Sequence, residues 1–144
     1  MTSLELCILD FTLKKMKPYA EIDESKFPII YVRFTGQKST DENFQAYLDG
    51  NKNCYRHQKK LAILFDASKA SLPSFKHQKM QADWLKENED LMREYCLGTA
   101  YVISNPAVRM ILKGIFALQK QPVPYEIFGR KEDAELWLKS RLEN

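Results

Sequence analysis

The side chains best suited to nucleophilic or metal chemistry are few: His57 and His77, and the cysteines Cys7, Cys54 and Cys96. His57 follows Cys54 by about one helical turn, so both can share a helix face. Two ligands fall short of the three or four that zinc takes, and His57 reads as a surface residue. A serine nucleophile, a histidine base and an orienting acid could be drawn from Ser68 or Ser71, His77 and Asp66. No oxyanion-hole signature accompanies them, and helix capping by Ser71 or Ser74 is the simpler account of the serines. The sequence contains no CxxC pair, P-loop, GxGxxG, HExxH or GxSxG, so no cofactor, metal site or catalytic residue is expected. The cysteines, odd in number and widely spaced, read as small core hydrophobes.

A polar group of another kind gathers at two strand ends. Asp66 closes the apolar run Leu61-Ala62-Ile63-Leu64-Phe65, and Ser104, Asn105 and Arg109 follow the run Thr99-Ala100-Tyr101-Val102-Ile103. In open α/β sheets ligands gather beyond the carboxyl ends of strands. A helix N-terminus attracts anions, and an Arg one turn in can clamp one. Asp66, Ser68, Ser104, Asn105 and Arg109 therefore form a candidate pocket for a small anionic ligand. Helix capping, plus a hydrogen bond between Asp66 and Arg109 or to the loop, is the alternative account of the same residues.

These positions depend on the elements that carry them. Alternation at Leu4, Leu6 and Ile8 predicts a strand over 4–13, and Ile22 a second short extended piece. Pro28 to Phe34 is rich in β-branched and aromatic residues and reads as a strand that Gly36 stops. Ser39-Thr40-Asp41-Glu42 fits a capping box with Ser39 as N-cap. Phe44, Tyr47, Leu48, Asn51, Cys54 and Tyr55 then form one stripe of an amphipathic helix over 40–57. The runs 61–65 and 99–103 read as strands buried on both faces, as in parallel sheets. A long helix is expected over about 74–96. Asn105-Pro106 starts another, to about Gln119. Residues 125–128 form a short strand, and 131–142 a last helix with Ala134, Trp137, Leu138 and Leu142 inward. This order predicts a single α/β domain over 1–144, with 1–18 as an N-terminal strand or extension and 19–142 as the core. Its sheet is mixed and mostly parallel, with about five strands and right-handed crossovers.

The helix over 106–119 carries more apolar surface than a core-facing stripe needs. Val108, Ile111, Leu112, Ile115 and Phe116 make one face. Met110, Gly114, Ala117 and Leu118, with Ala107, line the opposite flank. A second subunit, the link 121–124, or an apolar ligand or membrane would have to cover that flank. Self-association as a dimer is the leading expectation.

Several of these pieces together resemble a known family. They are Phe34-Thr35-Gly36, Phe44-Gln45-Ala46-Tyr47-Leu48, Leu64-Phe65-Asp66-Ala67-Ser68, Gly98-Thr99-Ala100-Tyr101-Val102-Ile103, and the closing Glu132-Asp133-Ala134-Glu135-Leu136-Trp137-Leu138. In that order they look like the STAS-like domains, which include the bacterial anti-sigma-factor antagonists and their SpoIIAA-like relatives. The resemblance spans roughly 20–142 and rests on element order and the closing pattern. It implies a mixed sheet with four helices packed mainly on one face. It also implies a non-catalytic module that binds protein partners, nucleotides or, in lipid-transfer relatives, apolar ligands. The antagonists carry a phosphorylatable serine in an Asp-Ser-Ser-Gly type turn. This chain has Ser68-Lys69-Ala70-Ser71-Leu72-Pro73-Ser74 there, without that motif or its Gly, so phosphoregulation does not carry over.

Charge narrows the partners further. Twenty-two basic and 19 acidic residues give a net charge of +3, with no basic stripe of the kind a nucleic-acid binder concentrates. No apolar run of membrane-spanning length occurs. Free thiols and an N-terminus without an export pattern point to a reducing cytoplasm. The expected function is thus a cytoplasmic, non-enzymatic binding or regulatory module that self-associates and has a possible protein partner. A carrier for a small apolar ligand or lipid is the alternative, and a hydrolase-like enzyme the third.

Overall fold

The computed structural model describes residues 2–6 and 17–143. Its sheet has five strands in the order β1 (Ala20–Asp23), β2 (Ile29–Phe34), β3 (Leu61–Asp66), β4 (Cys96–Val102) and β5 (Tyr125–Phe128). β1 pairs antiparallel with β2, and all other pairs are parallel. Each parallel pair is joined through helix. α1 (Asp41–Asn53) and a 3-10 turn (Cys54–His57) link β2 to β3. α2 (Phe75–Glu87) and α3 (Glu89–Tyr95) link β3 to β4. α4 (Pro106–Leu118) links β4 to β5, and α5 (Lys131–Glu143) closes the chain.

Side-chain alternation decides which helices cover which face. Ile30, Val32, Leu61, Ile63, Phe65, Tyr101 and Ile103 point to one face and pack with α1 to α4. Ile29, Ala62, Leu64, Ala100 and Val102 point to the other and pack with Ala134 and Leu138 of α5. Covering on both faces is why the runs in β3 and β4 are apolar throughout. Helices therefore gather mainly on one side, as the resemblance implies.

Three sequence expectations need correction. Residues 3–6 are helical, which excludes the start of a strand over 4–13; residues 7–13 lie outside the described residues. The N-cap of α1 is Thr40, one residue later than Ser39. Thr40 Oγ1 accepts from Asn43 N–H at 3.0 Å, and Asn43 Oδ1 accepts from Thr40 N–H at 2.8 Å. Asn serves here in place of Glu42, and Ser39 is left for another role. The helix expected over 74–96 is two helices. Asn88 leaves helical geometry, with φ −110° and ψ 17°. Its side-chain amide donates to Trp84 O at 2.9 Å, where its own backbone N–H also donates at 3.0 Å. Side-chain competition of this kind ends helices, so among the described residues five longer helices stand where four were expected. β4 accordingly begins at Cys96 rather than Thr99.

Candidate functional site

Between the sheet and α1, α2 and α4 lies a cavity of about 90 Å³. Its floor is a ladder of rings on adjacent strands. Phe65 stacks on Tyr101 at 4.9 Å and 8°, and Phe34 stacks on Phe65 at 6.3 Å and 19°. Tyr19, Phe44 and Tyr47 form one wall, their ring centroids 5.2 to 5.6 Å apart. Ile111, Leu112, Ile115 and Phe116 of α4 and Trp84 and Leu85 of α2 form the other. No charged side chain is among the described residues that line it. Ala70, Ser71, Gln81 and Trp84 are lining residues that are only half-buried, which places the mouth between the 67–73 loop, α2 and α4.

The polar groups of this cavity fall into two sets. Gln121 Nε2 donates to Tyr101 Oη at 2.8 Å and to Thr99 Oγ1 at 3.3 Å, and Tyr19 Oη donates to Ser71 O at 3.5 Å. Asn51 Oδ1 and Tyr55 Oη, by contrast, are buried with no hydrogen-bond partner among the described residues. Tyr47 lies beside Asn51 and the Cys96 thiol beside Tyr55, but neither contact has hydrogen-bond geometry, and a thiol is a weak partner. Burial pushes the hydroxyls of Tyr47, Tyr55 and Tyr101 above the ordinary tyrosine range, and that of Tyr19 up to about 12. The cavity thus holds neutral phenols. Asn51 and Tyr55 stand in the sequence as members of the apolar stripe of α1; a polar Asn within that stripe was the available signal of a site.

The expected strand-end residues have the following places. Asn105 caps α4, its Oδ1 accepting from Ala107 N–H at 2.9 Å. Arg109 donates through Nε and an Nη to Ile103 O, at 3.0 and 2.8 Å. Asp66 Oδ1 accepts from Ser68 N–H at 3.1 Å, and Ser104 is exposed. Asp66 pairs with Arg33 in register and lines an open polar groove with Glu21, Asp23, Tyr31 and Lys131. That groove lies on the α5 face of the sheet. No ion pair joins Asp66 to Arg109. On the flank of α4, Met110, Gly114, Ala117 and Leu118 are all exposed, Met110 by 74% and Leu118 by 53%.

His77 does meet a serine and an aspartate, but not those considered from the sequence. Its Nδ1 lies 2.7 Å from Ser39 Oγ and its Nε2 2.9 Å from Asp41 Oδ1. Ser74 caps α2 by accepting from His77 N–H at 3.2 Å, while Ser71 Oγ donates to Gln37 O at 2.6 Å. The imidazole is 5% exposed and stacks on Phe44 at 5.2 Å. The shift of the α1 cap to Thr40 frees Ser39 for this network, which ties the starts of α1 and α2 together.

A crystal structure of an uncharacterized DUF3478-family protein from Shewanella loihica PV-4 is described as having a SpoIIAA-like fold. It matches this structure with a TM-score of 0.60, over 83% of this chain and 91% of that one. The fold is SpoIIAA-like. Identity between the two is 15%, so the likeness is one of architecture. No protein-family model matches the chain, and no curated protein does. Among the described residues no helix of this SpoIIAA-like chain is long and apolar enough to cross a membrane.

Proposed function

We propose that this protein is a non-enzymatic binding module that takes a small, uncharged, mainly apolar molecule into the cavity between the sheet and α1, α2 and α4. The observation that carries this reading is the cavity itself, about 90 Å³ lined by aromatic and aliphatic side chains and free of charge. Apolar pockets with a few convergent polar groups are the usual form of small-molecule sites. The reading favours the apolar-ligand alternative over an anionic ligand at the strand ends, where Asn105 and Arg109 already have partners. Binding would act by occupying a preformed space and fixing the helices that wall it. The test is native mass spectrometry of the purified protein, followed by thermal unfolding with a panel of uncharged small molecules. Retained mass or a dose-dependent rise in melting temperature is the expected result. No retained mass and no rise with any compound overturns the reading.

A second reading rests on a separate observation. Met110, Gly114, Ala117 and Leu118 make an exposed strip on α4, and a side chain at Gly114 would meet nothing within 4 Å. A second copy of the chain seated there would bury the strip and make the module a dimer.

A further inference from the structure

The two unpartnered polar atoms say more about the occupant than the apolar walls do. This inference rests on the cavity reading above and deepens it. Asn51 and Tyr55 sit one turn apart, at the end of α1 and in the 3-10 turn after it. Both line the cavity, and both are buried, at 2% and 3% exposure. A buried polar group without a partner is costly to keep. Of the other polar lining groups, Tyr19, Ser71, Thr99, Tyr101 and Gln121 are already joined to protein partners. Tyr47, Gln81 and Trp84 also line the cavity, but among the described residues only Asn51 Oδ1 and Tyr55 Oη are fully buried polar atoms left without a partner. Asn51 and Tyr55 are therefore the groups left to recognise a ligand.

Four observations define that ligand. A carboxylate or phosphate would have no counter-charge, because no described lining residue is charged, and a buried unpaired charge is strongly disfavoured. A hydroxyl can donate to Asn51 Oδ1 and also exchange a hydrogen bond with Tyr55 Oη. The volume of about 90 Å³ is below the roughly 150 Å³ of an engineered cavity that takes up benzene, so nothing larger than one ring can enter, and a ring fits only by extending into the mouth beside Ala70, Ser71, Gln81 and Trp84. Stacked rings on the floor favour a flat partner over a chain. We infer that the cavity binds an uncharged single-ring molecule bearing a hydroxyl, of the phenol class, with that hydroxyl held by Asn51 and Tyr55.

The experiment compares phenol, toluene and 1-octanol by calorimetric titration and thermal unfolding of the full chain, with Asn51→Leu and Tyr55→Phe as variants. Circular dichroism checks that each variant is folded. The expected result is that phenol binds at least about tenfold more tightly than toluene, and that each variant loses about that factor for phenol alone, the equivalent of one neutral hydrogen bond. Tyr55→Phe should keep or raise the melting temperature of the empty protein, because it removes an unpartnered hydroxyl. If toluene matches phenol, or both variants bind phenol unchanged, the hydroxyl assignment falls while the cavity reading stands. Tighter binding of 1-octanol overturns the single-ring assignment. Binding of none of the three, as when water alone fills the space, overturns the inference and counts against the cavity reading as well.

Discussion

Phe65 and Tyr101 lie on neighbouring parallel strands with their rings 4.9 Å apart and 8° from parallel. Register puts them side by side: Phe65 pairs with Tyr101 in the β3–β4 ladder. The same register puts Tyr101 Oη within 2.8 Å of Gln121 Nε2, which anchors the Pro-rich link to the sheet. Tyr101→Phe keeps the stack and removes that bond. Urea unfolding should show a loss of about 1 kcal/mol, the usual net value of one hydrogen bond. Unchanged stability would mean that Thr99 alone holds Gln121.

His77→Ala removes the imidazole's bonds to Ser39 and Asp41 at the start of α1, and leaves a gap against Phe44. The expected loss is about 2 to 3 kcal/mol, since a buried network and its packing are lost together. Ser39→Ala should cost roughly 1 kcal/mol. Thermal unfolding checks both. A fluorophosphonate probe supplies the opposite test: labelling of Ser39 that disappears in His77→Ala would make this network a nucleophile and contradict a purely binding role.

Alkaline pH should unfold the protein early. Burial raises the Tyr19 hydroxyl to about 12 and the Cys96 thiol to about 11, and also raises Tyr47, Tyr55 and Tyr101. The unfolded chain releases these protons at ordinary thiol and phenol values, about 8.5 and 10. The folded chain holds them longer, so their stabilising effect is complete below about pH 8 and is lost as pH rises toward the folded values. The slope approaches about 1.4 kcal/mol per pH unit for each group. Urea unfolding between pH 7 and 11 measures it. A full tyrosinate absorbance near pH 10 in a still-folded chain would contradict it.

Ala117→Glu and Leu118→Glu place charges on the exposed flank of α4. The native mass should fall from dimer to monomer in both, with melting temperature changed by only a degree or two, because the positions are exposed within one chain. A monomeric parent protein, or an unaltered dimer in both variants, would remove α4 as an interface.

The sequence by itself determined most of the architecture. Period-two and continuous apolar runs marked β2 to β5, and the 3.6-residue stripes marked α1, α2, α4 and α5, because each pattern follows from backbone geometry alone. Local chemistry also set Asn105 as the cap of α4 and narrowed the cap of α2 to Ser71 or Ser74, of which the folded chain uses Ser74. Where two local solutions competed, the tertiary structure chose. Ser39, the cap expected from the sequence, went to His77, which only the folded chain brings within 2.7 Å, and Thr40 caps the helix instead. Asn88 falls inside the helix expected over 74–96, yet its side chain ends the helix. The candidate site was decided almost wholly in three dimensions. A cavity is the space that side chains from α1 to α4, three strands and their connecting loops leave unfilled. Whether Asn51 and Tyr55 find partners depends on neighbours far away in sequence, and periodicity carries no information about either.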